Sequence, residues 1–129
     1  MAKVLVVEDD QDIRELIADS LEDLGYEVLQ AADGLAGIEL ALSQNPDVML
    51  LDVMMPGLDG FEVLIRIMDT PATNSIPVIM LSARGHERDI REALNNGAAD
   101  YVTKPWNPDD LESKVIKAQR RQLPASSAT

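Results

Sequence analysis

The chain has 129 residues, 46% of them apolar, and carries 11 basic against 23 acidic side chains for a formal net charge of −12. That length and composition predict one domain with a real core, and the charge argues against direct nucleic-acid binding because it repels phosphate backbones. The absence of cysteine excludes disulfides, thiol catalysis and cysteine metal sites, and the single histidine excludes a histidine-rich metal cluster.

The start Met-Ala-Lys leads straight into a strand-like run, and no apolar stretch approaches membrane-spanning length. A cytoplasmic protein without membrane contact is expected. Residues 3–7 form the first apolar run. A helix is predicted at about 12–24, with Ile13, Leu16, Ile17, Leu21 and Leu24 on one face. Asp12 with Glu15 fits a capping box, and Asp10 is an alternative cap. Gly25 stops the helix, and Tyr26 to Gln30 reads as the second strand.

Asp33 caps a second helix over 34–43, which ends at Asn45-Pro46. Residues 47–51 form the third strand. Asp59 with Glu62 caps a third helix whose apolar face is Phe61, Leu64, Ile65 and Met68. Pro77 can open the fourth strand, continued by 78–81. A fourth helix at 87–95 turns Ile90, Ala93 and Leu94 inward. The fifth strand is 100–103, and Asn107-Pro108 starts a fifth helix that runs to about 121. Residues 1–122 are expected to form the domain, with 123–129 a flexible tail or the start of a linker.

Five strand–helix pairs exhaust the chain. Strands 1, 3 and 4 are nearly continuous apolar runs, as in strands covered on both faces. The pattern predicts an α/β fold: a doubly wound five-stranded parallel sheet with helices on both faces. Such sheets bind ligands beyond the carboxyl ends of their strands, where strand order reverses. Polar residues gather at those ends: Glu8-Asp9, Asp52, Ser82 and Lys104.

Three carboxylates at one edge repel one another unless a cation intervenes. Magnesium suits oxygen donors, and Asp9, Asp52 and Glu8 are the candidate ligands, with the Met55 carbonyl from the Met-Pro-Gly turn. Asp52 can also attack phosphorus, and Lys104 offers the charge that stabilises a phosphoryl group. Ser82 can donate a hydrogen bond to it. Taken singly, each has an ordinary reading: helix cap, surface lysine, strand-end serine. Tyr101 alone reads as a half-buried strand residue, and His86 as an exposed loop histidine.

The segments Val-Val-Glu-Asp-Asp at 6–10, Leu-Leu-Asp-Val-Met-Met-Pro-Gly-Leu-Asp-Gly at 50–60, Val-Ile-Met-Leu-Ser-Ala at 78–83 and Gly-Ala-Ala-Asp-Tyr-Val-Thr-Lys-Pro-Trp at 97–106 resemble the receiver domain of two-component response regulators. The resemblance covers residues 3 to about 121. It implies a flavodoxin-like (βα)5 fold with strand order 2-1-3-4-5, and an aspartyl phosphate at Asp52 that depends on magnesium, with manganese able to substitute. It makes Lys104 the phosphate-binding lysine, and Ser82 and Tyr101 the switch pair. Met54 and Arg84 become the positions that tune hydrolysis, here toward slow self-dephosphorylation.

The implied phosphodonor is a sensor histidine kinase or a histidine phosphotransfer protein, and no turnover of an external substrate is expected. The implied output surface is the fourth helix, fifth strand and fifth helix, open to an output domain, an effector or a phosphorylation-dependent homodimer. A nucleotide-binding flavodoxin-like domain would need a Gly-rich phosphate loop after the first strand, where this chain has Glu8-Asp9-Asp10. Two further readings compete: a non-phosphorylated receiver-like interaction module, and an aspartate-nucleophile phosphatase of the haloacid dehalogenase type. The intact acid, hydroxyl and lysine set weighs against the first. Met54, where a phosphatase would carry a second acid, weighs against the other.

Overall fold

A computed structural model of the chain describes residues 2–55, 57–83 and 87–122. Strands and helices alternate from end to end: β1 (Lys3–Val7), α1 (Gln11–Asp23), β2 (Glu27–Ala31), α2 (Gly34–Gln44), β3 (Val48–Asp52), α3 (Gly60–Asp69), β4 (Val78–Ser82), α4 (Glu87–Asn95), β5 (Asp100–Thr103) and α5 (Pro108–Gln122). All strands are parallel, in the order β2-β1-β3-β4-β5. The order reverses between β1 and β3, as the resemblance implies.

Period-two alternation splits the core into two layers. Leu5, Val7, Met49, Leu51, Met80 and Tyr101 pack with Ala41, Val63, Leu64, Ile67 and Ala93 of α2, α3 and α4. Val4, Val6, Val48, Leu50, Ile79, Leu81 and Val102 pack with Ile17, Leu21, Leu111 and Val115 of α1 and α5. β3 and β4 are buried along their whole length, and β1 from Val4 onward. This explains why those three runs are apolar without alternation. β5 is the short edge strand at one side.

Capping follows local chemistry. Asp10, not Asp12, caps α1, its Oδ1 accepting from the Ile13 N–H at 3.1 Å. Asp33 and Asp59 accept from Ala36 N and Glu62 N at 2.8 and 3.0 Å, as predicted. Asn107 Oδ1 accepts from Asp109 N at 2.8 Å, with Pro108 opening α5. Asn45 ends α2 in the left-handed region.

Several boundaries and faces differ from expectation. β2 starts at Glu27, because Tyr26 turns aside to pack against the α1–α5 layer, its hydroxyl donating to Gln119 Oε1 at 3.0 Å. Asp52 and Ser82 are the last residues of β3 and β4 rather than the first beyond them. Leu16, Leu24, Ile65 and Leu94 are exposed. A helix on a sheet buries a narrower stripe than its apolar residues span, and Ala18, Val63 and Ile67 occupy the buried positions instead. Pro56, Arg84, His86 and the proposed tail 123–129 lie outside the described residues.

Candidate functional site

Strand parity assembles the site. Glu8 continues the series Val4–Val6, Asp52 the series Val48–Leu50, and Lys104 follows Val102. All three therefore project on the α1–α5 side of the sheet. Ser82 and Tyr101 have the opposite parity, with Met80 and Val78. The site thus divides between two faces of one sheet edge.

The Lys104 ammonium joins the two buried acids. Its Nζ lies 2.6 Å from Glu8 Oε1 and 3.3 Å from Asp52 Oδ1. Glu8 and Asp52 are 1% and 2% exposed. Asp52 Oδ1 also accepts from the Met54 N–H at 3.3 Å, and Glu8 Oε2 from the Asp10 N–H at 3.4 Å. Asp9, beside them, is exposed. One oxygen from each of Glu8, Asp9 and Asp52 falls within 4.8 Å of the others.

The electrostatics follow from crowding. Burial holds the Glu8 carboxyl above its usual range, reinforced by contact with Asp52 and opposed by Lys104. Partial burial and the neighbouring Glu8 raise Asp9 as well. Burial would lower Lys104, but Glu8 and Asp52 outweigh it and hold the ammonium above its ordinary value. Two buried acids and one half-buried base leave a net negative pocket, with Asp9 adding to it. The donor set is all carboxylate oxygen, and hard divalent cations such as magnesium fit it.

Backbone contacts hold this arrangement. Lys104 N donates to the Ser82 carbonyl at 2.7 Å, which carries the β4–β5 ladder to the site. The Lys104–Pro105 peptide is cis. Gly60, the first residue of α3, donates its N–H to the Val53 carbonyl at 2.9 Å. A Cβ on Gly60 would stand on the Asp52 carbonyl oxygen, and 2.6 Å from Val53 Cα. Only glycine lets α3 begin this close to the end of β3.

Glu8, Asp9, Asp52 and Lys104 come together. Met55 turns its side chain into the α2–α4 layer and is 8% exposed. Met54 projects outward, 55% exposed. Ser82 and Tyr101 are buried at 0% and 7% exposure on the far face. Arg84 lies outside the described residues. Beside Lys104, a cavity of about 510 Å³ is lined by Ile13, Leu16, Ala83, Pro105, Trp106 and Pro108.

The sequence reading missed two contributors. Gly60 carries no chemistry of its own, and only its place immediately after the cap Asp59 marks it as a helix start. Arg14 drew no notice. Its Nη1 donates to the Glu8 carbonyl at 2.8 Å and its Nε to Gln30 Oε1 at 3.2 Å.

Residues 4–116 match the family model for the response regulator receiver domain. The chain is 40% identical over 121 residues to the DNA-binding dual master transcriptional regulator RpaA of Synechocystis, covering 94% of this chain and 50% of RpaA. It is 40% identical over 124 residues to the phosphate regulon transcriptional regulatory protein PhoB of Pseudomonas aeruginosa, covering 96% and 54%. The chain thus spans about half the length of these curated relatives. Among solved structures, the Francisella response regulator 1452 receiver domain superposes with a TM-score of 0.89 at 35% identity, covering 95% of this chain and 100% of that one.

Proposed function

The chain belongs to the response regulator receiver domain family of two-component systems, and from that premise we propose that it is a phosphoacceptor switch whose acceptor is Asp52. The observation that carries this reading is the Lys104 ammonium held 2.6 Å from Glu8 and 3.3 Å from Asp52 at the edge where strand order reverses. Glu8, Asp9, Asp52 and the Met55 carbonyl would hold magnesium. The ion would neutralise the acids and polarise the phosphoryl oxygens.

An Asp52 carboxylate oxygen attacks the phosphorus of a phosphohistidine on a sensor kinase or phosphotransfer protein. The P–O bond forms as the P–N bond breaks, and the imidazole departs with the electron pair. Lys104 shifts its ammonium from Glu8 toward the new phosphoryl oxygens, whose charge it offsets. The Ser82 hydroxyl donates to the same group, and Tyr101, on Ser82's face, follows it. Met54 stands at the exposed side of Asp52 and limits the approach of water, which favours a long-lived phosphoryl group.

The reader of this state is the surface of α4, β5 and α5. Several of its charges are already engaged within the chain: Arg91 with Glu87 at 3.3 Å, and Lys114 with Asp110 and Asp100 at 3.3 and 3.9 Å. Exposed pairs of this kind are weak and exchange readily for partners in a second molecule or an output domain. Among the described residues, no helix is long and apolar enough to cross a membrane.

Incubation with acetyl phosphate and magnesium, read by intact mass, tests the reading. One added phosphoryl group is expected in the native chain and none in Asp52→Asn. Absence of the adduct, or its persistence in Asp52→Asn, would overturn it.

A further inference from the structure

Arg14 sits in the first turn of α1. Long helical side chains lean toward the helix N-terminus, so it reaches back over the loop that carries the acidic pair. Nη1 donates to the Glu8 carbonyl at 2.8 Å, while Nε donates to Gln30 Oε1 at 3.2 Å. The Glu8 N–H is separately held by the Ala31 carbonyl at 3.1 Å. Both polar groups of the Glu8 main chain are therefore fixed, one by β2 and the other by α1. The fixed carbonyl belongs to the peptide that joins Glu8 to Asp9.

We infer that Arg14 is a positioning residue for the acidic pair: its guanidinium sets the Glu8–Asp9 peptide so that both carboxylates present oxygens to one divalent cation. The inference rests on the cation-binding reading proposed above. Asp9 is the site's exposed acid, and the peptide before it is what aims it. Without the guanidinium, the Glu8 carbonyl would turn to water and the peptide plane would rotate freely.

Two effects of Arg14 on a bound cation have opposite signs. As a positive charge it repels the cation, but a half-exposed, solvent-screened charge alters affinity only a few-fold. As a donor it orders a ligand-bearing peptide, and partners of that kind are typically worth roughly 10–100-fold in metal affinity. The larger effect decides the sign: removing Arg14 should weaken magnesium binding, whereas charge alone would make it tighten.

The test is magnesium titration of the full 129-residue chain, followed by calorimetry and by the fluorescence of its single tryptophan, Trp106. Arg14→Met keeps the stem and loses the donors, and should bind magnesium about ten-fold or more weakly. Arg14→Lys should recover part of the loss. Gln30→Ala should weaken binding slightly in the native background and not at all in Arg14→Met, because it acts through Arg14. Saturating magnesium should restore the acetyl phosphate reaction of Arg14→Met to the native rate.

Unchanged or tighter binding by Arg14→Met, with normal binding by the native chain, overturns the proposal alone. A large fall in melting temperature with no recovery at saturating magnesium overturns it in favour of a general structural role. No magnesium response in the native chain overturns the cation reading itself, and this proposal with it.

Discussion

The two halves of the acidic site obey different rules. Glu8, Asp52 and Lys104 form a buried half, fixed by ion pairs and by the backbone of four strands. Asp9 and Met54 form an open half, in contact with water. In the buried half each charge depends on another, since a lone ion there would lose its hydration without return. In the open half charge is cheap, and side chains can be chosen for access and rate. Architecture is therefore concentrated in one half and adjustment in the other.

Substitutions should separate the halves by size of effect. The largest is expected at Gly60→Ala, whose methyl would collide with the Asp52 carbonyl. A backbone-on-backbone overlap cannot relax through a rotamer, so a loss of about 2 kcal/mol in denaturant unfolding is expected, with slower phosphorylation. A stability equal to the native chain's would show that the buried half is not rigid.

Lys104→Met comes next. It strips the buried acids of their partner, but the lysine side chain is 19% exposed and one acid can take up a proton. The expected cost is about 1–2 kcal/mol in magnesium-free buffer, below that of a fully buried pair. Added magnesium should return part of it, because a ligand that binds only the folded chain stabilises it. Melting curves with and without the ion would show this.

Met54→Asn should leave unfolding unchanged and shorten the phosphoryl lifetime several-fold, because an amide can order the attacking water. Decay of the adduct after donor removal measures this, and a native chain that already loses phosphate quickly would contradict it. Asp9→Asn should have only a small effect on stability, and a favourable one. An acid whose pKa is raised on folding subtracts stability above that pKa, so neutralising Asp9 should raise the magnesium-free melting temperature by about 1–2 °C. The same change should weaken magnesium binding.

Much of the fold was legible because β1, β3 and β4 are covered on both faces and read as unbroken apolar runs. The acid and hydroxyl positions were legible because they close those runs, and the lysine because it closes β5. Helix faces were harder. α1 carries more leucine than its contact with the sheet can bury, so Leu16 and Leu24 were expected inward and lie outward. The division of the site by strand parity was present in the numbering, Glu8, Asp52 and Lys104 against Ser82 and Tyr101, but needed the strand ends to be fixed first. Arg14 was hidden because its contact is to a carbonyl oxygen, which every residue has, and no side-chain pattern advertises it.

Lys104 touches β4 through its peptide N–H, and β1 and β3 through its ammonium. Three connections drawn from one residue cannot vary independently. Described as a linkage, the whole sheet edge has few degrees of freedom, and most of them pass through a single side chain. A chemical event at Asp52 that moves this amine must also alter the tension on β4 and β5. The edge then behaves as a coupled mechanism with one input.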